Sequence, residues 1–262
     1  MSKIAIVTGG TSGIGKETAL ELVRRGCKVY ELSRREQGVE GMVHIPTDIT
    51  DTDAVEKAID TVIENEGKID IVVNNAGFGI SGAIEYTDVS EAKKLFDVNF
   101  FGMVAVNRWV LPVMHRQGYG RIVNLSSVGA PVALPFQAFY SASKAGVNSY
   151  TLALANEVRP YGITVCAVQP GDISTGFTDA REKSTKGDDA YGGRIEKSVS
   201  RMEHDERNGM PPAVAGKFIA DKALRKKVKP VYTIGASYKA VVALVKILPV
   251  SLANKIIGTI YA

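Results

Sequence analysis

Tyr140 and Lys144 stand four residues apart in the run Tyr-Ser-Ala-Ser-Lys. Residues at i and i+4 share a helix face, so a helix through this run presents a phenol beside an ammonium. A free phenol ionises near pH 10, and a neighbouring cation favours its ionised form. Such a tyrosine can exchange a proton with an alcohol or a carbonyl oxygen closer to neutral pH. Taken alone, a Tyr/Lys pair is more often a surface accident. A third group changes the reading. Arg-Ile-Val-Asn-Leu-Ser-Ser places Ser126 and Ser127 at the carboxyl end of an apolar run, with Ser127 lying 13 positions before Tyr140. Adjacent strand residues face opposite ways, so only one serine serves, and Ser127 is the one expected to hold a substrate oxygen.

These groups need a scaffold, and the sequence supplies its rhythm. Short apolar runs occur at 3–8, 28–33, 42–47, 69–74, 121–126, 163–168 and 230–235. Between most of them lie segments with apolar residues spaced by three and four, as in Lys-Glu-Thr-Ala-Leu-Glu-Leu-Val. Strands that are apolar throughout, separated by helices, imply a parallel sheet covered on both faces. The expected fold is α/β: a single-domain, Rossmann-type doubly wound fold spanning 1–262, with seven parallel strands and helices on both faces. Two regions break the rhythm. Residues 178–209 are dense in charge and suggest part of a substrate lid over about 172–215, the bland alternative being a solvated loop. Residues 236–262 form an apolar C-terminal extension.

The first strand runs into Thr-Gly-Gly-Thr-Ser-Gly-Ile-Gly, and a helical pattern follows at once. Gly9, Gly13 and Gly15 let a backbone approach a pyrophosphate, which the free N–H groups of the next helix then face. After the second strand comes Tyr-Glu-Leu-Ser-Arg-Arg-Glu. An acid at its end would bind a ribose 2′-OH and repel a 2′-phosphate; Ser33 stands there instead, followed by Arg34 and Arg35. Arginine grips phosphate by paired hydrogen bonds, which favours NADP(H) over NAD(H). Glu31 is the counter-indication if the strand stays regular.

The composition narrows the classes. A net charge of +4 with no concentrated basic face argues against nucleic-acid binding. No Cys/His spacing suits a metal, and Cys27 and Cys166 suggest no disulfide framework, so a reducing, cytoplasmic setting is expected. No apolar run is long enough for an ordinary spanning helix.

With these pieces in place the sequence resembles the short-chain dehydrogenase/reductase family over nearly its whole length. Thr8-Gly9-x-x-x-Gly13-Ile14-Gly15 is similar to its cofactor motif, Asp48 to its adenine-contacting acid, and Asn74-Asn75-Ala76-Gly77 to the segment after its fourth strand. Asn99, Ser127, Tyr140 and Lys144 match its catalytic tetrad; Pro170-Gly171 and Thr175 match the segment that closes over the nicotinamide. The resemblance implies further cofactor contacts at Thr11, Ser12, Ile14, Ser33, Arg34, Ile49 and Ile173, together with Tyr140 and Lys144. It implies hydride exchange between nicotinamide and a carbonyl or secondary alcohol. Tyr140 would carry the proton and Ser127 position the oxygen. Lys144 would lower the tyrosine pKa and hold the nicotinamide ribose, and the main chain of Asn99 would hold a relay water. No metal is required.

The substrate is less sharply defined. Val128, Ala130, Val132, Leu134, Pro135 and Phe136 suggest an apolar wall beside Ser127, and the lid and tail resemble the steroid and retinol dehydrogenase branch. A bulky lipophilic ketone or alcohol is the expected substrate. A 3-oxoacyl thioester reductase, an enzyme of another alcohol, sugar or xenobiotic, and a nucleotide-binding regulator without turnover are the alternatives. A homodimer or homotetramer is expected from the resemblance, with helices 90–117 and 138–159 as its interface. The basic run 221–230 and the tail suggest peripheral membrane contact, against the plainer expectation that the tail packs on its own domain or a second subunit.

Overall fold

The computed structural model describes residues 2–261. The chain begins with β1 (Ile4–Thr8), α1 (Gly13–Arg24), β2 (Lys28–Ser33), β3 (Val43–Pro46), α2 (Thr52–Glu66) and β4 (Ile71–Asn74). It continues through β5 (Ile80–Ser81), α3 (Val89–Phe96), α4 (Met103–Gln117), β6 (Gly120–Leu125), α5 (Ala138–Glu157) and β7 (Ile163–Gln169). The last third holds α6 (Phe177–Ala180), β8 (Glu182–Lys183), α7 (Arg194–Arg207), α8 (Pro212–Leu224), β9 (Val231–Thr233), α9 (Ala236–Ile247) and α10 (Val250–Tyr261). Each of the seven strands foreseen from the apolar runs is present in one parallel sheet, ordered β3-β2-β1-β4-β6-β7-β9.

Strand alternation splits the core in two. Ile4, Ile6, Tyr30, Leu32 and Val72 pack under α2, α4 and α5, whereas Ala5, Val7, Val29, Val73 and Val168 pack under α1 and α8. The chain winds outward both ways from β1 and β4, which are direct neighbours in register Ala5 with Ile71. A crevice forms where the winding reverses, at the carboxyl ends of the strands, and it is the natural ligand site of such sheets.

Three departures from the expected pattern bear on function. The helix expected over 90–117 is interrupted by a wide π-type turn, Asp97–Gly102, between α3 and α4. Turns of this kind cluster at functional sites, and Asn99 lies inside this one. The charged segment 178–209 supplies a small core of its own, because α7 buries Ile195, Val199 and Met202 against Ala83. It is also fastened to the main body: β8 pairs in parallel with β5, with Glu182 N–H donating to the Gly79 carbonyl at 3.0 Å.

Candidate active site

The phosphate end of the crevice is built from main chain. Gly9 has φ +66°, a left-handed conformation natural to glycine, and its N–H donates to the Leu32 carbonyl at 2.8 Å. Thr8 Oγ1 accepts from the N–H groups of Asn75 and Ala76 at 3.0 and 3.1 Å, and the Asn75 amide donates back to the Thr8 carbonyl at 3.0 Å. The turn after β1 is thus fixed to the segment after β4. α1 starts at Gly13 with no side-chain cap on its N–H groups and no acid in its first turn. Unpaired N–H groups and the helix dipole there suit an anion such as a pyrophosphate.

Glu31 is fully buried at 0% exposure and does not line the crevice. Its Oε1 accepts from the Gly10 N–H at 2.8 Å, and its Oε2 accepts from the Ser33 hydroxyl at 3.3 Å and meets His44 Nδ1 at 2.6 Å. The strand is regular, so Glu31 and Ser33 do share a face, yet the acid is consumed within the fold. Ser33, Arg34 and Arg35 are left to line the crevice with Thr11, Asp48 and Ile49. Burial by itself would raise the Asp48 pKa; hydrogen bonds from the Thr50 N–H and hydroxyl, with the charge of Arg34, carry it below the usual carboxylate range.

At the other end stand Ser126, Ser127, Tyr140 and Lys144. Ser126 is buried and its hydroxyl donates to the Lys144 carbonyl at 3.1 Å, whereas Ser127 Oγ accepts from the Gly129 N–H at 3.0 Å. Both serines line the crevice, and they differ in that the Ser126 hydroxyl donates to main chain whereas Ser127 Oγ keeps its own proton to give. Lys144 Nζ lies 5.9 Å from the centre of the Tyr140 ring and donates to the Leu125 carbonyl at 2.9 Å. Burial lowers the Lys144 pKa from 10.5 to about 8. Burial likewise pushes Tyr140 up to about 12, against a lowering hydrogen bond from Ser127. The expectation of a tyrosine made more acidic by its lysine needs correcting: desolvation is the largest influence on the phenol, and Lys144 is not among the charges that shift it.

Asn99 and Gly15 do not line the crevice. Asn99 Oδ1 accepts from the Phe78 N–H at 3.0 Å, and its Nδ2 donates to the Phe78 carbonyl at 2.9 Å and to Ser143 Oγ at 3.3 Å. Its side chain is a brace between the segment after β4 and the helix α5. Gly15 is a packing glycine, since a methyl there would overlap the Asn75 amide and the Gly9 carbonyl. The remaining residues expected from the sequence do line it: Gly9, Thr11, Ser12, Gly13, Ile14, Asn75, Ala76, Gly77, Pro170, Gly171, Ile173 and Thr175, with Ser127, Tyr140 and Lys144.

The crevice opens into a cavity of about 1140 Å³ in all, walled by the lid and the tail. Of the apolar wall expected after Ser127, Val128, Val132 and Leu134 contribute, but Ala130, Pro135 and Phe136 do not. Phe136 adopts φ +59°, unusual for a non-glycine, and packs its ring edge-on against Tyr191, 5.7 Å between centres. Tail residues replace them: Val241, Leu244, Leu248, Ile256, Ile257 and Ile260 face the cavity. Tyr238 anchors the tail, its ring lying against Gly171 and Gly235 and its hydroxyl donating to Asp172 at 2.5 Å.

Comparison with known proteins decides the family. The short chain dehydrogenase family model matches residues 3–186. The chain belongs to the short-chain dehydrogenase family. This dehydrogenase is 41% identical to the 3-ketodihydrosphingosine reductase of Bacteroides thetaiotaomicron, over 86% of its own length and 84% of the relative's. It is 32% identical to the probable short-chain type dehydrogenase/reductase VdlC of Helicobacter pylori, covering 95% and 94% of the two chains. Among solved structures, a short-chain dehydrogenase from Streptomyces avermitilis superposes with TM-score 0.84 at 29% identity, covering 93% of this chain and 92% of that one. ElxO with NADP bound gives TM-score 0.77 at 26% identity, covering 92% and 100%.

The dehydrogenase also holds working parts that sequence reasoning missed. Ser143 sits between the two residues of the Tyr/Lys pair and joins Asn99 to α5. Tyr238 and Asp172 connect the tail to the segment after β7. A buried amide ladder runs beneath the site: Asn74 Nδ2 donates to the Asn107 and Asn124 carbonyl oxygens at 2.8 and 2.9 Å, and Asn124 Nδ2 to Thr151 Oγ1 at 2.9 Å. Repeated asparagines at apolar strand ends were the available signal for it.

Proposed function

We propose that this enzyme reduces a lipophilic ketone with NADPH, and that the ketone is carried on a long hydrocarbon chain of the kind named for the Bacteroides relative, ahead of a steroid or retinoid. The observation that carries this reading is one continuous cavity. It runs from Arg34 and Arg35, past Ser127 and Tyr140, to an apolar wall made by α9 and α10. The group fits its cradle: glycine-lined main chain for the pyrophosphate, two arginines beside a serine for the 2′-phosphate, and Ala76, Gly77 and the Pro170–Thr175 segment around the reacting ring. When bound, that nicotinamide supplies the hydride. Tyr140, with a pKa raised to about 12, keeps its proton at neutral pH and is placed to give it to a carbonyl oxygen held by Ser127. Lys144 holds the ribose and stands behind the tyrosine in the relay, with the main chain of Asn99 continuing it. The chain works as one coenzyme-binding domain with a preference for NADPH.

The tail extends the reading to a location. Residues 236–262 contain three lysines and no acid. Its two helices meet at an apolar tip, where Ile247 is 80% and Val250 84% exposed. A cytoplasmic enzyme with peripheral contact to an anionic membrane surface, through which a lipid ketone reaches the cavity, is consistent with both. The charge resides in the tail's own lysines: the basic run 225–229 leads into the amino end of β9, while the tail leaves from its carboxyl end. A homodimer or homotetramer built on α4 and α5 is supported by exposed Phe101 beside α4 and Leu152 on α5.

The test is NADPH oxidation against a ketone panel, with Tyr140→Phe as control. The panel spans 3-ketodihydrosphingosine, long-chain and short methyl ketones, a steroid, retinal and an acetoacetyl thioester. Tyrosine-dependent turnover strongest on the long-chain members is expected. A preference for the thioester or for short ketones would overturn the substrate assignment, and co-sedimentation of full-length and tail-deleted protein with anionic vesicles checks the membrane contact.

A further inference from the structure

We propose that His44 is a positioning residue for coenzyme selection: it ties the carbonyl of Arg35 to the buried Glu31 and so holds the arginine pair where a 2′-phosphate is read. The inference rests on the NADPH reading and gives it a mechanism.

Arg34 and Arg35 are exposed and begin a loop that runs to β3. A loop of flexible side chains grips a phosphate well only if its backbone is already in place, since ordering it on binding costs affinity. The structure supplies that order from the neighbouring strand. Glu31 and His44 are direct partners in the β2–β3 register. His44 Nδ1 meets Glu31 Oε2 at 2.6 Å and its Nε2 meets the Arg35 carbonyl at 2.7 Å. The two ring nitrogens thus lie within hydrogen-bonding distance of a carboxylate on one side and a main-chain carbonyl on the other. The other Glu31 oxygen accepts from Gly10 N–H, in the phosphate turn itself. Arg35 closes the circuit, its guanidinium donating to the Thr11 carbonyl at 3.4 Å. Gly38, farther along the loop, packs so closely on His44 that a side chain there would overlap the imidazole stem. One histidine therefore couples the pyrophosphate turn to the 2′-phosphate loop. No part of this chain of contacts touches the carbonyl-reducing end of the cavity.

The measurement is the dissociation constant of NADPH and of NADH, by quenching of protein fluorescence, for wild type, His44→Leu, His44→Asn, Arg34→Ala and the His44→Leu/Arg34→Ala pair. His44→Leu should weaken NADPH by about tenfold and NADH far less, and the loss should not add to that of Arg34→Ala, because the two act on one phosphate contact. Asparagine can reach Glu31 but is too short to reach the Arg35 carbonyl. His44→Asn should therefore lose NADPH selectively while keeping the melting temperature, and it answers the question if the leucine variant does not fold. Glu31→Gln still accepts from Gly10 and can donate to His44, so it should retain selectivity. Equal losses for both coenzymes, or full additivity with Arg34→Ala, would overturn the role of His44. Wild type that binds NADH as tightly as NADPH would instead overturn the coenzyme reading beneath it.

Discussion

The two ends of the cavity are made from different materials. At the coenzyme end, buried side chains behind the lining tie it to main chain: Thr8 to Asn75 and Ala76, Glu31 to Gly10, and Asn99 to Phe78 on both its N–H and its carbonyl. Close approaches there involve backbone: a methyl on Gly15 would overlap the Gly9 carbonyl oxygen. At the substrate end the walls are leucine, isoleucine and valine from two short helices whose outer faces are bare. The first end recognises a ligand by direction, the second by volume. Directional recognition tolerates few residue types, whereas volume can be filled by many, so the two ends should answer mutation in different ways.

The largest expected effect is chemical. Tyr140→Phe removes the proton donor and should lower turnover by roughly 10²–10⁴-fold while coenzyme titration stays unchanged. Gly15→Ala comes next and tests the directional end. Its methyl meets the Gly9 carbonyl, so it should cost about 1–3 kcal/mol in urea unfolding and weaken both coenzymes, because the whole turn moves. Ile257→Asp tests the volume end: KM for a long-chain ketone should rise on the order of tenfold, with kcat for a short ketone nearly unchanged. If Ile257→Asp also weakened coenzyme binding, the division between the two ends would collapse.

A pH series sharpens the same division. Lys144, at about 8, loses its charge above that pH while Tyr140, at about 12, keeps its proton. Reductive kcat/KM should hold level up to about pH 8 and then fall by about tenfold per pH unit, and Lys144→Arg should move the fall upward because a guanidinium stays charged. The sign for stability is opposite. The unfolded lysine keeps its proton to about 10.5, so the penalty of the buried charge is full below pH 8 and is relieved as pH rises from 8 toward 10.5. The smallest effect belongs to the tail tip. Ile247→Ser and Val250→Ser, at such exposed positions, should change stability by no more than about 0.5 kcal/mol. Their readout is vesicle co-sedimentation, which should drop.

This contrast also explains what the sequence allowed to be read. The seven strands were legible because a parallel sheet buried on both faces demands unbroken apolar runs. The phosphate turn, Ser127 and the Tyr/Lys pair were legible because glycine, serine, tyrosine and lysine at fixed spacings carry direction in their type. Glu31 could be seen but not assigned, since its partner His44 lies across a strand pair and the contact depends on register. Phe136 was placed on the cavity wall by its type, yet a left-handed backbone turns it toward Tyr191. The tail's contribution could not be placed at all, because apolar helices without caps or motifs do not announce which surface they cover. Burial, rather than charge proximity, governs Tyr140 and Lys144, and burial is a property of the assembled pocket.

The short parallel pair β5–β8 has a consequence for exchange with solvent. Amides at Glu182 and Ser184 donate to the carbonyls of Gly79 and Ser81 at 3.0 and 2.9 Å, in a two-stranded ladder separate from the main sheet. These two hydrogens should survive in deuterated water on the timescale of the neighbouring core, while those of α10, with Ala253 its one well-buried residue, are lost early. Lifetimes in that order would make the charged segment 178–209 the fixed wall of the cavity and the tail its yielding one.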